Sequence, residues 1–297
     1  MRVTFAQQFE DGLRNINTAA SQLADAQRRV SSGRRLNVAS DDPAGMTAAI
    51  DARGSLATTD AYQRATDAAS SRLLVADTAL NDIINQITAA KVTATNALGS
   101  GRSQTQLDAL ATEILGIRDA VLGDMNTRFG STYLFAGADG GQPPFTEAAG
   151  VVSAYQGDAT TQSIDIAEGR EVQITFDGSA IMQGSDAAHL FDELTTLATS
   201  IQAGNGTGIL AGIAAIDRAF DRTNFAQTRV GIALKALEDV QPHLDASHLS
   251  SLTRVSSIED ADMAKAITDL SRAETAQQSA LGAFASMARL TLMDYLR

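Results

Sequence analysis

The sequence predicts a mainly α protein: an elongated antiparallel coiled-coil helical rod formed by the N- and C-terminal segments, with a small antiparallel β insert. Apolar residues near the start recur at a strict interval of seven, at Phe9, Ile16, Leu23 and Val30. Apolar residues near the end follow steps of three and four, at Met263, Ile267, Leu270, Leu281 and Phe284. Both patterns place one apolar stripe on a helix, which is typical of helices that pair along a seam. Further long helical patterns lie between the two ends.

The composition of the chain suits narrow helix–helix seams. Hydrophobic residues make up 44% of the 297 residues, yet aromatic residues make up only 5% and Trp is absent. The formal net charge of −12 disfavours partners such as nucleic acids and anionic membranes, whose phosphates would be repelled. The chain has no Cys, which excludes disulfides, thiol catalysis and Cys-ligated metals. No segment approaches the apolar length of a membrane span, and the N-terminal segment has acidic residues where a signal peptide needs its apolar stretch. We therefore expect a cytoplasmic protein or one exported without signal cleavage.

The first half of the chain is predicted to contain a terminal helix and a long helical hairpin. Residues 1–42 form an assembly helix and linker, in which the helix runs from about Gln7 to Val30 and Gly33 caps its end. Residues 43–129 form the hairpin, because Ser40-Asp41-Asp42-Pro43 is a strong helix start. The first hairpin helix ends near Leu98, and the second covers residues 104–129.

The second half is predicted to return through a β insert to two more helical segments. Glycine-rich residues 130–184 form a β-rich outer insert with a hairpin at 163–176. Residues 185–255 form the helical return, in which Ser185-Asp186 caps a helix over 187–203 and a long helix follows from Ile209. Residues 256–297 form a C-terminal assembly helix that starts at a capping box of Ser256 and Glu259.

The residues that could carry chemistry have simpler structural explanations. The histidines His189, His243 and His248 lack the spacing of a metal site and are expected to be solvated. Asp41 and Asp42 precede Pro43, a position that favours helix capping over acid–base work. The acidic residues at 259–262 lack the pattern of a Ca²⁺ loop, and the glycines at 137–141 lack the Lys of a phosphate loop. We therefore assign no catalytic, cofactor-binding or metal-binding residues and expect that the protein is not an enzyme.

Several segments resemble the flagellin superfamily. Two adjacent strings, Arg28–Asn37 (RRVSSGRRLN) and Ser40–Gly45 (SDDPAG), are similar to the N-terminal signature of that superfamily. Other segments resemble, within it, the FlgL family of hook–filament junction proteins: Tyr133–Gly137, Pro144–Phe145, Tyr155–Asp158, Ile258–Asp262 and Leu290–Leu296. Arg229–Gly231 is shared with filament flagellin. The resemblance covers nearly the whole chain.

The resemblance implies a secreted, extracellular structural subunit of the bacterial flagellum that joins hook to filament and leaves the cell through type III export. Its partners would be copies of itself in a helical array, another hook-associated protein, flagellin and an export chaperone. Coupled folding and assembly would bury the apolar stripes of the terminal helices. The expected interface residues are Phe5, Phe9, Ile16, Leu23, Val30, Ile267, Leu270, Leu281, Phe284, Leu292, Tyr295 and Leu296. Two alternatives stay open: filament flagellin, and a helical enzyme or ligand-binding protein with an unrecognised site.

Overall fold

The structure, a computed structural model, describes the backbone of residues 5–295 and the side chains of residues 7–287. Its helices are α1 (Phe5–Ser32), α2 (Pro43–Ala97), α3 (Gln104–Met125), α4 (Gly178–Met182), α5 (Leu190–Gln202), α6 (Gly206–Glu259) and α7 (Met263–Tyr295). Its strands are β1 (Arg128–Phe129), β2 (Thr132–Tyr133), β3 (Glu147–Ala148), β4 (Val151–Val152), β5 (Ser163–Ala167) and β6 (Arg170–Gln173). The predicted mainly α fold with small antiparallel sheets is confirmed.

The chain divides into two compact units. The terminal unit comprises Met1–Thr58 and Ala246–Arg297, and the middle unit comprises Thr59–Asp245. In the terminal unit, α1 ends at Gly33, whose φ of 67° lies in the left-handed region and whose amide donates to the carbonyl of Arg29. The start of α2 at Pro43 is confirmed, and Oδ1 of Asp42 accepts a hydrogen bond from the Gly45 amide at 2.9 Å.

The middle unit holds a continuous apolar core between helices. Its longest apolar stripe is on α2, where Leu73, Leu80, Ile83 and Ile87 are buried. Helix α6 runs antiparallel to α2: Lys91 pairs with Asp217 of α6 at 2.5 Å, and Gln63 bonds Asp245 of α6 at 2.9 Å. The same core continues through α3, α5 and the β insert at Ile114, Val121, Phe135, Phe145, Phe191 and Leu197.

The β insert consists of three two-stranded antiparallel ribbons, β1–β2, β3–β4 and β5–β6. The predicted hairpin is present, with Asp165 opposite Glu171 and a turn through Gly169, whose φ is 69°. The buried guanidinium of Arg118 fixes β3–β4 to the helices, because it donates to Glu147 at 3.2 Å, to the Gly150 carbonyl at 2.9 Å and to Thr195 at 3.2 Å.

The bounds of two helices differ from the prediction. The second hairpin helix ends at Met125 rather than near residue 129, because the chain enters β1 at Arg128. The helix predicted over 187–203 starts at Leu190, and the cap is His189, whose Nδ1 accepts from the Asp192 amide at 3.3 Å. His189 is also buried, contrary to the prediction of a solvated histidine.

The predicted capping box at Ser256 is also wrong. The helix α6 continues through Ser256 to Glu259, and Asp262 caps α7 by accepting from the amides of Ala264 at 3.0 Å and Lys265 at 3.1 Å. Glu259 is therefore not part of a charged first turn but a buried residue at the end of α6.

Candidate assembly surface

The two terminal helices α1 and α7 pack against each other in antiparallel orientation. At one end of the pair, the rings of Phe9 and Phe284 lie 5.0 Å apart between centroids. At the other end, Arg34 and Asp260 form a β-bridge, and the Ala261 amide donates to the Gly33 carbonyl at 2.9 Å. The faces of α1 and α7 that carry Phe9 and Phe284 therefore meet in one seam.

The centre of the seam is made of small residues that the sequence prediction did not include. Gly12, Ala19 and Ala26 of α1 and Ala266 and Ala273 of α7 are buried. Within each helix they recur every seven residues, three positions after Phe9, Ile16 and Leu23 on α1 and three positions after Met263 and Leu270 on α7. The complementary heptad position would therefore have revealed them. Small residues at this position let the two helix backbones approach closely.

The predicted large residues flank this centre. Ile16, Leu23, Val30, Leu270 and Phe284 are half-buried in the seam. The ring of Phe284 also covers Gly12, since a Cβ at Gly12 would lie 2.8 Å from Cδ2 of that ring.

The remaining predicted residues lie outside the seam or outside the described side chains. Ile267 is 53% exposed and Leu281 is 49% exposed, so neither is buried between α1 and α7. Phe9 also keeps 41% of its surface in water despite its contact with Phe284. The side chains of Phe5, Leu292 and Tyr295 and the whole of Leu296 lie outside the described part of the structure. Their place in the predicted interface stays a prediction.

The rims of the seam carry ion pairs that face solvent. Arg28 pairs with Asp25 on α1, and Arg272 approaches Asp269 on α7 at 3.9 Å. Such exposed pairs contribute little stability, typically below about 1 kcal/mol. The association of α1 with α7 therefore depends mainly on the narrow apolar seam, and large apolar side chains remain unburied beside it.

A buried carboxylate joins the two terminal helices to the rest of the terminal unit. Glu259 is 3% exposed, and its Oε2 accepts from the guanidinium of Arg53 on α2 at 2.5 Å. Its main-chain carbonyl accepts from the Arg35 amide at 2.6 Å, and the Arg34 guanidinium lies 4.0 Å from its side chain. We call this set of contacts among Arg34, Arg35, Arg53 and Glu259 the Glu259 joint. It fixes the end of α6 against the α1–α2 linker.

The linker itself is held by two acidic residues. Oδ2 of Asp41 accepts from the amides of Asn37 at 3.0 Å and Val38 at 3.1 Å, and these bonds lower the pKa of Asp41. The amide of Gly45, together with the Arg35 guanidinium, lowers the pKa of Asp42. Asp42 caps α2, as predicted, whereas Asp41 holds the linker instead of a helix end, so the prediction that it caps a helix is wrong. The role of both carboxylates is structural.

The formal charge is unevenly divided between the two units. The middle unit carries 23 Asp and Glu against 11 Lys and Arg, so it accounts for the entire net charge of −12. The terminal unit carries 12 residues of each sign. Long-range repulsion between copies of the chain therefore arises in the middle unit, whereas the terminal seam lies in electrically balanced sequence.

The described residues show neither a metal-binding group nor a membrane-spanning helix. Within that part of the chain, no three His, Asp or Glu residues are grouped so that they could hold a metal ion. None of the described helices combines the length and the apolar character needed to cross a membrane.

Two family models match the chain, one at each end. Residues 10–139 match the bacterial flagellin N-terminal helical region, and residues 213–296 match the bacterial flagellin C-terminal helical region. Together the two matches cover most of α1 and α6 and all of α2, α3 and α7. These elements build the terminal seam and most of the helical core.

Two curated relatives match the chain over its whole length. The flagellar hook-associated protein 3 of Salmonella typhimurium is 23% identical, with 100% of each chain covered. The protein of the same name from Escherichia coli is 24% identical, with 99% of each chain covered.

Solved structures share the fold. Xanthomonas campestris FlgL matches with a TM-score of 0.62 and 16% identity, covering 68% of this chain and 98% of that chain. The flagellar junction protein FlgL from Legionella pneumophila matches with a TM-score of 0.60 and 13% identity, covering 72% of this chain and 100% of that chain. At these identities the likeness establishes the fold.

Proposed function

The chain belongs to the bacterial flagellin superfamily, and from that premise we propose that it is a structural subunit of the flagellum that joins the hook to the filament. The full-length match to two proteins named flagellar hook-associated protein 3 favours this junction role over that of filament flagellin. The chain is accordingly a structural component and not an enzyme. It acts outside the cell after type III export, with an export chaperone as an escort.

The observation that carries an assembly role is the unburied apolar surface beside the α1–α7 seam. Phe9, Leu13, Ile267 and Leu281 each keep two fifths or more of their surface in water. Two helices that bury mainly Gly and Ala between them gain little from the hydrophobic effect. Contacts with neighbouring copies in a helical array, and with flagellin and another hook-associated protein at its two ends, would bury these residues and complete the pair.

The location of the chain separates the junction role from the flagellin alternative. We expect immunogold labels against the chain to mark only the proximal end of each filament, and a deletion strain to make hooks without filaments. Labelling along the whole filament would instead identify the chain as bulk flagellin. A deletion strain with normal filaments would contradict both roles.

A double substitution tests the assembly surface itself. We expect Ile267→Asp with Leu281→Asp to leave the isolated chain folded, because both side chains are exposed, and to abolish filament attachment. The matched control is Ile267→Leu with Leu281→Met, which keeps the surface apolar and should leave filament attachment normal. Normal flagella in the Asp variant would show that this face of α7 is not an interface, even where labelling supports the junction role.

A further inference from the structure

The loop that joins α5 to α6 in the middle unit carries the one Asn–Gly pair of the sequence, Asn205–Gly206. Such a pair is chemically reactive, because the main-chain nitrogen of the residue after an asparagine can attack the side-chain carboxamide. A Cβ on that following residue hinders the attack, and glycine has none. Every other asparagine of the chain is followed by a residue with a Cβ. Asn205 is therefore the asparagine whose carboxamide is least shielded by its neighbour in sequence.

Water and the attacking nitrogen can both reach this carboxamide. The Asn205 side chain is exposed, and Gly206 is half-buried. The only atom within 4 Å of a Cβ built at Gly206 is Cδ2 of Leu98, at 4.0 Å. The loop therefore has open space on the side where a ring between the two residues would form.

The asparagines in two other connections are held more firmly. Asn126, which ends α3, donates from Nδ2 to the Phe145 carbonyl at 2.9 Å and accepts at Oδ1 from the Phe145 amide at 3.3 Å. Asn37, in the α1–α2 linker, donates from Nδ2 to the Arg34 carbonyl at 3.0 Å and is followed by β-branched Val38. Both carboxamides thus lack either the freedom or the neighbour that the reaction requires.

The Asn205 carboxamide has a single hydrogen bond within the described part of the chain. Its Oδ1 accepts from the Gly208 amide at 3.2 Å, so Asn205 caps the start of α6. The main chain of Asn205 is also held, because its amide donates to the Ser200 carbonyl at 2.9 Å and its carbonyl accepts from the Ile209 amide at 3.0 Å. A carboxamide bonded to the Gly208 amide is not free to close a ring on the nitrogen of Gly206. The reaction therefore requires the first turn of α6 to open.

The first turn of α6 is weak for a reason that lies in its packing. It contains both Gly206 and Gly208, and glycine is the least favourable helical residue apart from proline. A larger residue does not fit at position 208, since a Cβ there would lie 2.5 Å from Oγ of Ser200 on α5. The close approach of α5 thus requires a glycine that makes the turn easier to open.

We propose that Asn205 is a site of spontaneous deamidation, which proceeds when the first turn of α6 opens. The Gly206 amide loses its proton to hydroxide, and its nitrogen forms a bond to Cγ of Asn205. Nδ2 takes a proton from water and leaves as ammonia, so that a five-membered succinimide closes. Water then adds to one of the two ring carbonyls and opens the ring to aspartate or isoaspartate. The net change is the replacement of ammonia by water, and no oxidant or reductant is needed.

The two products have different effects on α6. Aspartate at position 205 keeps the cap, because its carboxylate accepts from the Gly208 amide and its charge suits the positive end of the helix dipole. Isoaspartate places the side-chain methylene in the main chain, which displaces the carbonyl that accepts from Ile209. The first turn then cannot close as before. Both products also add a negative charge to a middle unit that is already acidic.

The rate in the folded chain tests the proposal. The full-length chain is incubated at mildly alkaline pH, and mass spectrometry follows the replacement of NH₂ by OH in the peptide that contains residue 205. An isoaspartyl methyltransferase then measures the share of isoaspartate. An N-cap is worth a factor of about 2–30 in stability, so we expect the folded chain to react about 2–30 times more slowly than the chain unfolded in urea. A requirement for global unfolding would slow the reaction more than about 1,000-fold and would overturn the proposal.

Two variants identify the attacking group. Gly206→Ala fits the loop, and its helical preference alone should slow the reaction of the folded chain by about fivefold, before the hindrance of its Cβ is counted. Asn205→Ser keeps a cap but has no carboxamide, so it gives the baseline mass. Asn37 of the same chain is the internal control and should stay unchanged. An unmodified Asn205 after an incubation that converts the unfolded chain, or equal rates with Gly and Ala at position 206, would contradict the proposal. The reaction needs no partner, so its outcome is independent of the proposed function.

Discussion

The Glu259 joint gives the sharpest energetic prediction, because a buried charge depends on one partially exposed partner. The Glu259 side chain is 4% exposed and the Arg53 side chain is 47% exposed. Breaking a fully buried pair costs about 3–5 kcal/mol, since it leaves one charge uncompensated. Arg53 is half in solvent, and the Arg34 guanidinium remains 4.0 Å from the carboxylate after its loss. We therefore expect Arg53→Met to cost about 2 kcal/mol.

Glu259→Gln should destabilise the joint less than Arg53→Met does, and it should also reduce the destabilisation that Arg53→Met causes. Glu259→Gln removes the buried charge and keeps the shape, so we expect a loss of about 1 kcal/mol. The double variant leaves no uncompensated charge in the joint. Its cost should be lower than the sum of the single costs by about 1–2 kcal/mol, which is the coupling energy of the pair.

Hydrogen exchange is the suitable assay, because the chain has two compact units and global unfolding would mix them. The amides of Arg35 and Ala261 donate across the joint, at 2.6 Å and 2.9 Å, and report its opening. Two kcal/mol corresponds to exchange roughly 30-fold faster at these amides. The control is Arg14→Met, which removes an exposed pair with Asp11 and should change little. Equal exchange in the Arg53 and Arg14 variants, or strictly additive costs, would refute the reasoning.

Three further predictions concern single positions. Gly12→Ala should loosen the seam, because the added Cβ displaces the Phe284 ring. Gly282→Ala, whose Cβ meets nothing within 4 Å, should instead stabilise α7 by about 0.5–1 kcal/mol. Equal protection of the α7 amides from hydrogen exchange in the two variants would contradict this. Burial raises the pKa of Asp124 to about 6, above the unfolded value of 3.8, so the unfolding free energy should increase as pH falls from about 6 towards 4. Asp124→Asn should therefore stabilise the middle unit by about 1 kcal/mol at pH 8 and not at pH 4, a value reduced because Asp124 is partly exposed. Urea titrations followed by a probe within the middle unit measure this difference. Leu23→Asp should cost about 2–3 kcal/mol by placing a charge in the seam, and unchanged protease resistance of residues 7–32 would argue against it.

The features that the sequence predicted correctly are those with a local cause. Pro43 begins α2 because its ring suits the first helical turn and Asp42 accepts from the amide of Gly45. Gly33 ends α1 because it adopts a left-handed φ of 67°. In both cases the residues that decide the structure are neighbours in the chain, so the local sequence is sufficient to predict it.

The wrong predictions have causes that are distant in sequence. Asp186 has the chemistry of a helix cap, but its carboxylate instead bonds Arg218 at 3.0 Å and Arg222 at 2.7 Å on α6. The helix then starts later, at the turn capped by His189. Similarly, the pattern at Ser256 fits a helix start, yet α6 continues to Glu259, where the carboxylate meets Arg53 from more than 200 residues earlier. No local pattern reveals such partners.

The candidate surface shows the same division between local and distant causes. Periodicity predicts that Leu23 and Leu270 share the seam face of their helices, since helical spacing alone decides which residues share a face, and both are half-buried. It does not decide how wide the buried stripe is. That width depends on how closely α1 and α7 approach, which the buried Ala19 and Ala273 permit. A close approach buries a narrow stripe, and Ile267 is left outside it.

The narrow seam also explains why folding and assembly of the terminal helices should be coupled. Fully burying one Leu or Ile side chain contributes about 1.5–3 kcal/mol, and an Ala contributes far less. A pair that buries alanines at its centre therefore gains little beyond the entropy cost of ordering two long helices. The half-exposed Ile267 and Leu281 are the largest unused source of apolar burial on the described part of α7. One seam cannot bury both faces of a helix. In the proposed helical array, a neighbouring subunit would cover the outer face, so the contacts that extend the array would also stabilise the terminal pair.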